Sequence, residues 1–213
     1  DMQLSKIACR RLAETEKSNL ALLAWAQKAK LEARTIETSL VDLETLKKSL
    51  PEIRSMTTMN PLDFCPKLIE LLSGCGIALV FLPHIGGFFL HGATFYDGKK
   101  IVVGLTVCGK DADKFWFSLF HELGHILLGH INQPNGTTEE DEAAADSFAK
   151  ETLIPTEEFN AFTDQNDFSK AAICAFAQEK HILCGVVVGR LQKEGFINYN
   201  RCNDLKIKYI LSA

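Results

Sequence analysis

Five consecutive residues constrain this chain more than any others: His121-Glu122-Leu123-Gly124-His125, preceded by Phe115-Trp116-Phe117-Ser118-Leu119-Phe120 and followed by Ile126-Leu127-Leu128. The apolar flanks predict a buried helix. On a helix, residues four apart share a face about one turn from each other, so His121 and His125 can aim two imidazole nitrogens at one point. A zinc ion suits that point. Glu122 then lies beside the first ligand, where the HExxH pattern needs a carboxylate to take a proton from water as that water attacks a carbonyl. Two chance surface histidines would sit among polar neighbours. Here Phe117, Leu119, Phe120, Ile126 and Leu127 enclose them, and burying unpaired imidazoles with a carboxylate is costly unless a partner or metal compensates. Gly124 costs about 1 kcal/mol relative to Ala inside a helix. Its missing side chain predicts that another backbone comes close there.

A catalytic zinc site usually takes three protein ligands. The longer pattern HExxHxxGxxH would need Gly at 128 and His at 131, but the chain has Leu128 and Ile131, with Gly129 and His130 one place out of register. His130 therefore reads as a helix-end cation or a rim residue. Glu142-Ala143-Ala144-Ala145-Asp146 offers a better completion, an ExxAD pattern seventeen residues beyond His125. Glu142 and Asp146 share a helix face, so Glu142 can be the third ligand while Asp146 accepts the outer N–H of a ligating histidine. The alanines between them predict close packing of the two helices.

The remaining composition narrows the class of protein. No apolar run approaches the ~20 residues of a membrane span, and no signal-peptide pattern opens the 213 residues. The seven cysteines form no CxxC pair, which predicts free thiols in a reducing compartment, the cytoplasm. Cys108 is a weak candidate for an inhibitory thiolate at the metal. Residues 139–167 hold ten acids against the single base Lys150, an ordinary solvated acidic face, and no basic stripe marks a nucleic-acid surface.

Residues 1–55 read as a helical N-terminal segment. Ser18 is a cap for a helix over 20–33, Thr38 or Ser39 for a shorter one, and Pro51 a stop. Leu22, Leu23 and Trp25 need a surface to cover them. Asn60-Pro61 or Cys65-Pro66 starts the next helix, which ends at Gly74 and Gly76. Strand candidates follow at 77–82, 88–96 and 100–105, with Asp97-Gly98 as a turn, so a small, largely antiparallel sheet is expected. Asp111 or Asp113 opens the metal helix, which ends near Gly129. Residues 131–138, with Pro134-Asn135-Gly136, read as a loop, and 139–152, 168–180 and 186–193 as helices.

At this point the chain resembles the ImmA/IrrE-type metallopeptidases. The likeness rests on a strand and turn at His91-Gly92-Ala93, the approach over 115–120, the HELGH core, and Glu142 to Asp146 with Phe148-Ala149 and Leu153-Ile154-Pro155. It continues through Val187-Val188-Gly189-Arg190-Leu191-Gln192 and Asn203-Asp204-Leu205-Lys206, similar to HigA-like members in which a helix-turn-helix module precedes the peptidase. It spans about residues 56–213. The resemblance implies an α+β, zincin-like fold with an HExxH helix followed by a glutamate helix. It also implies a cytoplasmic zinc peptidase that cleaves or controls a transcriptional regulator in stress, phage or toxin-antitoxin responses. No helix-turn-helix is visible in residues 1–55, so direct nucleic-acid binding is not expected of this chain, and such a module would belong to a longer protein. Two rival readings are a zinc-bearing regulatory module that grips a partner with little turnover, and a hydrolase of a small amide. His84, His91, Tyr96, His181 and Arg190 are candidates to stabilise an oxyanion.

Overall fold

The computed structural model describes residues 7, 16–83, 90–106, 110–131, 133 and 136–209. Within them, every residue of the strands β1 (Ile77–Leu82) and β3 (Lys100–Thr106) except Phe81 and Lys100 is buried, on both faces. Such continuous apolar runs are the signature of a sheet covered on both sides. Ile77, Leu79, Ile101, Val103 and Leu105 enter one core, while Ala78, Val80, Leu82 and Val102 enter another. The period-two alternation of side chains along a strand divides them.

The sheet is mixed, and the expectation of a largely antiparallel one is corrected. β2 (Gly92–Asp97) pairs antiparallel with β3 through the Asp97-Gly98 turn, where Gly98 takes φ +64°. β1 pairs with the opposite edge of β3 in parallel, giving the order β1-β3-β2. The physical reason is the connection after β1. The nine residues 83–91 are longer than a hairpin loop, so β2 does not fold back on β1 but lies across β3. The expected strand over 88–96 begins at Gly92, with 88 and 89 outside the described residues, and Gly92-Ala93 opens a strand rather than a turn.

One face of this sheet is covered by α1 (Glu16–Ala33), whose Leu22, Trp25, Ala26 and Ala29 pack on Ala78, Val80, Phe95 and Val102. Trp25 fills the space above Gly104: a Cβ there would lie 2.5 Å from its ring. The helix starts at Glu16, so Ser18 lies inside it and is not a cap. The opposite face carries α2 (Leu43–Ser55), α3 (Pro61–Gly74) and α4 (Ala112–Leu127). Asp42 caps α2 in place of Thr38 or Ser39, and Pro51 is carried inside the helix on its exposed side. Burial of Ile53 and Met56 beyond it holds the helix together despite the lost backbone bond. Asn60 caps α3 and Pro61 takes its first turn, as the sequence indicated.

Beyond α4 come α5 (Glu139–Leu153), α6 (Thr156–Thr163), α7 (Lys170–Glu179) and α8 (Cys184–Lys193). α6 was not anticipated; Pro155 opens it and Phe159 and Phe162 anchor it. Two short strands, β4 (Lys110–Asp111) and β5 (Lys208–Tyr209), tie the start of α4 to residues near the C-terminus. Arg54 of α2 reaches over to donate hydrogen bonds to the Leu153 and Lys180 carbonyls. No single described helix is long and apolar enough to cross a membrane.

Candidate metal centre

α4 runs buried between the sheet and α5, with Ala112 through Ile126 apolar or enclosed apart from Lys114 and Phe117. Its HExxH segment follows: His121 is 6% exposed, Glu122 2% and His125 0%. Asp111 stands at the N-cap position, and Leu128 followed by Gly129 at φ +76° closes the other end. The His130 amide donates to the His125 carbonyl at 2.9 Å and the Gly129 amide to that of Ile126 at 3.2 Å, a left-handed cap that needs glycine at 129. One turn of chain later α5 begins with a reciprocal capping box between Thr138 and Asp141.

Gly124 is the point where α5 approaches. A Cβ on it would stand 3.0 Å from Cδ1 of Phe148 and 3.3 Å from Cα of Ala145. The expected close helix contact is there, but its face is Ala145, Phe148 and Ala149; Ala143 and Ala144 are exposed. An apolar contact line every three to four residues takes Ala145 and Ala149 inward and leaves their neighbours outside.

The contact delivers Glu142 to the two histidines. Nε2 of His121 lies 3.0 Å from Nε2 of His125, and the Glu142 carboxylate oxygens lie 3.3 and 3.4 Å from those two nitrogens. All three donor atoms fall within 4.8 Å of one another. Both oxygens of Glu142 are buried and make no hydrogen bond, and the two imidazole Nε2 atoms are the polar groups facing them. A buried carboxylate left unpaired costs several kcal/mol as a rule. A divalent cation between the three groups would remove that cost, so the donor set of two imidazoles and one carboxylate fits zinc.

The electrostatics agree. Burial disfavours charge on His121, but the hydrogen bond to Asp146 and the neighbouring carboxylates of Glu142 and Glu122 outweigh it and push its pKa up to about 10. Burial likewise opposes ionisation of Glu142, yet the two histidines hold its carboxyl well below the usual range. The carboxylates that favour a proton on His121 would equally favour a cation beside it.

Asp146 sits where the spacing put it, its Oδ1 2.8 Å from Nδ1 of His121. His130 lies just beyond the end of α4 and is partly exposed, but its ring turns back onto the cluster, a contact the sequence did not indicate. Its Nδ1 lies 3.1 Å from Nδ1 of His125, and its Nε2 3.4 Å from Oδ1 of Asp141. Burial, with the charges of His125 and His121, keeps its pKa below the ordinary value against the pull of Asp141. The signal pointing to it is Gly129, whose left-handed backbone turns the chain back over the last turn of α4.

Glu122 points toward the sheet side. Oγ of Thr94 donates a 2.5 Å hydrogen bond to its Oε2. Gly92 makes room for it, since a Cβ there would lie 2.7 Å from Oε1. Burial raises the Glu122 pKa, opposed by the two histidines and by the Thr94 hydroxyl. Neither Thr94 nor Gly92 was legible beforehand, because nothing local says which face of β2 meets α4.

A cavity of about 750 Å³ opens beside this cluster, reached by His91, Gly92, Phe117, His121, Glu122 and Asp146 and extending along α8 to β5. Of the proposed oxyanion partners, His91 and Arg190 line it. Arg190 is already committed to the Ile154 carbonyl and Glu194, its guanidinium 4.1 Å over the Phe159 ring. Tyr96 and His181 are exposed and do not line it, and His84 lies outside the described residues, as does Cys108. The described cysteines are free thiols.

Residues 93–191 match the family model of M78 peptidases, described as the IrrE N-terminal-like domain. The match runs from β2 to α8 and holds the whole His121, His125 and Glu142 cluster. No curated protein matches the chain.

Proposed function

Because residues 93–191 carry an ImmA/IrrE-type, metallopeptidase-like domain, we propose that this chain is a zinc-dependent, gluzincin-like peptidase acting on a peptide bond of a protein substrate. The observation that carries the reading is the buried Glu142 carboxylate, without hydrogen-bond donors, facing two imidazole Nε2 atoms. His121, His125 and Glu142 hold the metal. When bound there, zinc supplies Lewis acidity, which makes water a stronger acid and a carbonyl a better electrophile.

The protein's own groups do the rest. Asp146 accepts the Nδ1–H of His121 and fixes that ring with Nε2 toward the metal position. Thr94 grips one oxygen of Glu122, leaving the carboxylate oriented beside the ligands without being one of them. Glu122 takes a proton from the attacking water and passes it to the leaving amine, a role favoured by a pKa lifted through burial toward the working pH. The cavity along α8 receives the polypeptide on either side of the scissile bond. By its resemblance to regulators of this type, we assign a DNA-binding regulator as the substrate and the cytoplasm as the location.

Metal analysis paired with Glu122→Gln tests this. Wild type should carry about one zinc per chain, and the variant should keep zinc and fold while cleavage of candidate regulators falls by at least ~10²-fold. A regulatory module that only grips its partner predicts instead that Glu122→Gln controls the regulated gene as well as wild type. Equal response of the two at equal expression would defeat the peptidase reading.

A further inference from the structure

The cavity is unevenly charged. Three carboxylates on its wall are ion-paired, Asp111 with Lys114, Asp113 with Lys206 at 2.8 Å and Glu194 with Arg190 at 2.9 Å, while the other two, Asp146 and Glu122, keep their charge at the metal end beside His121 and Thr94. Three cations remain after these pairs are removed. Lys150 from α5, Lys193 from α8 and Lys208 from β5 also line the cavity, and among the described residues none of them has a carboxylate within ion-pair range. In a chain of net charge -4, with its acids massed over 139–167, three lysines without carboxylate partners in this cleft run against the overall balance.

We infer that this cleft selects acidic polypeptide: a segment bearing Asp or Glu side chains on the part of the substrate that lies along α8 toward β5, away from the metal centre. The inference rests on the peptidase reading for the position of the scissile bond. Lys193 and Lys208 are exposed at the cleft and Lys150 is half-buried, and one sign of unpaired charge along a cleft draws the opposite charge in and penalises its own. The three lysines come from three different elements, so they flank the cleft from several sides rather than forming a solvated stripe on one helix. Phe117, Leu153 and Val186 on the same walls supply apolar contact between the charges. Buried Asp113–Lys206 pairing at the cleft floor, with Gly189 pressed against Asp113, fixes the α8 wall to the start of α4.

The test uses the full chain carrying Glu122→Gln, so that binding is read without cleavage. Fluorescence anisotropy compares two labelled peptides that share Ala, Leu and Gly positions and differ only in Glu against Lys at the rest. The Glu peptide should bind at least about 10-fold more tightly at low salt, and the gap should close as ionic strength approaches about 1 M, where the screening length is about 3 Å. Lys193→Glu with Lys208→Glu should abolish or reverse the order. Equal binding of the two peptides, binding of neither, or a preference untouched by the double charge reversal would overturn the inference. Zinc content, measured on the same samples, should not change with the charge reversal. Absence of zinc in all of them would fail the metal reading separately from the peptide preference.

Discussion

At the scale of single residues, each histidine of the cluster has its own outer partner. Nε2 of His125 faces the metal position, so its hydrogen belongs on Nδ1, and at 3.1 Å the His130 Nδ1 is placed to accept it. His130 then carries its own hydrogen on Nε2, toward Asp141. Asp146 does the same for His121 in one step. Losing such a partner typically costs 10- to 100-fold in metal affinity. His130→Ala should therefore weaken zinc binding by about that factor in competition with a chromophoric chelator, whereas His130→Asn, whose Oδ1 replaces the accepting nitrogen, should recover most of it. Equal affinity of wild type and His130→Ala would refute the role. Asp146 was legible because a spacing of four on a helix fixes its direction. His130 was not, because its direction depends on the backbone of Gly129 beyond the helix.

At the scale of elements, the distance between α4 and α5 sets the ligand geometry. Gly124 opposes Ala145 and Phe148, and a side chain on it meets them at 3.0 to 3.3 Å. Overpacking of this kind typically costs 1–3 kcal/mol. Gly124→Val should lower stability by about that amount in denaturant unfolding, and it should also lower zinc affinity, because Glu142 moves with α5. Gly124→Ala should show the same two effects more weakly. A Gly124→Val protein as stable and as zinc-avid as wild type would show that the helices do not need this spacing. The sequence announced the glycine and the alanines but not which alanines meet it, since three in succession point in three directions around the helix.

At the scale of the whole molecule, chain far from the motif in sequence closes it in. Trp116 of α4 donates its Nε1–H to Oη of Tyr209 at 3.0 Å, which ties the metal helix to β5. Tyr209→Phe leaves that buried indole N–H unpaired and should cost about 1–3 kcal/mol of stability. Burial lifts the Tyr209 pKa, with the Trp116 hydrogen bond opposing it. The unfolded tyrosine therefore loses its proton first, near pH 10, while the folded one keeps it, so this contribution is intact below about pH 10 and is lost as pH rises through the folded pKa. Thermal melts across that range should fall less steeply for Tyr209→Phe than for wild type. Equal slopes would exclude the tyrosine as their source. The sequence by itself determined the buried HExxH helix, the metal-ligand candidates, the Asp146 partner and the turn at Asp97-Gly98, because each depends on spacings of a few residues that helix or turn geometry converts directly into direction. Only the tertiary structure decided that β1 runs parallel to β3, that α1 covers the back of the sheet, that Thr94 and Gly92 face Glu122, and that His130 backs His125. These depend on which faces meet after the chain has crossed long connections, and that is fixed by burial of both sheet faces rather than by any local periodicity.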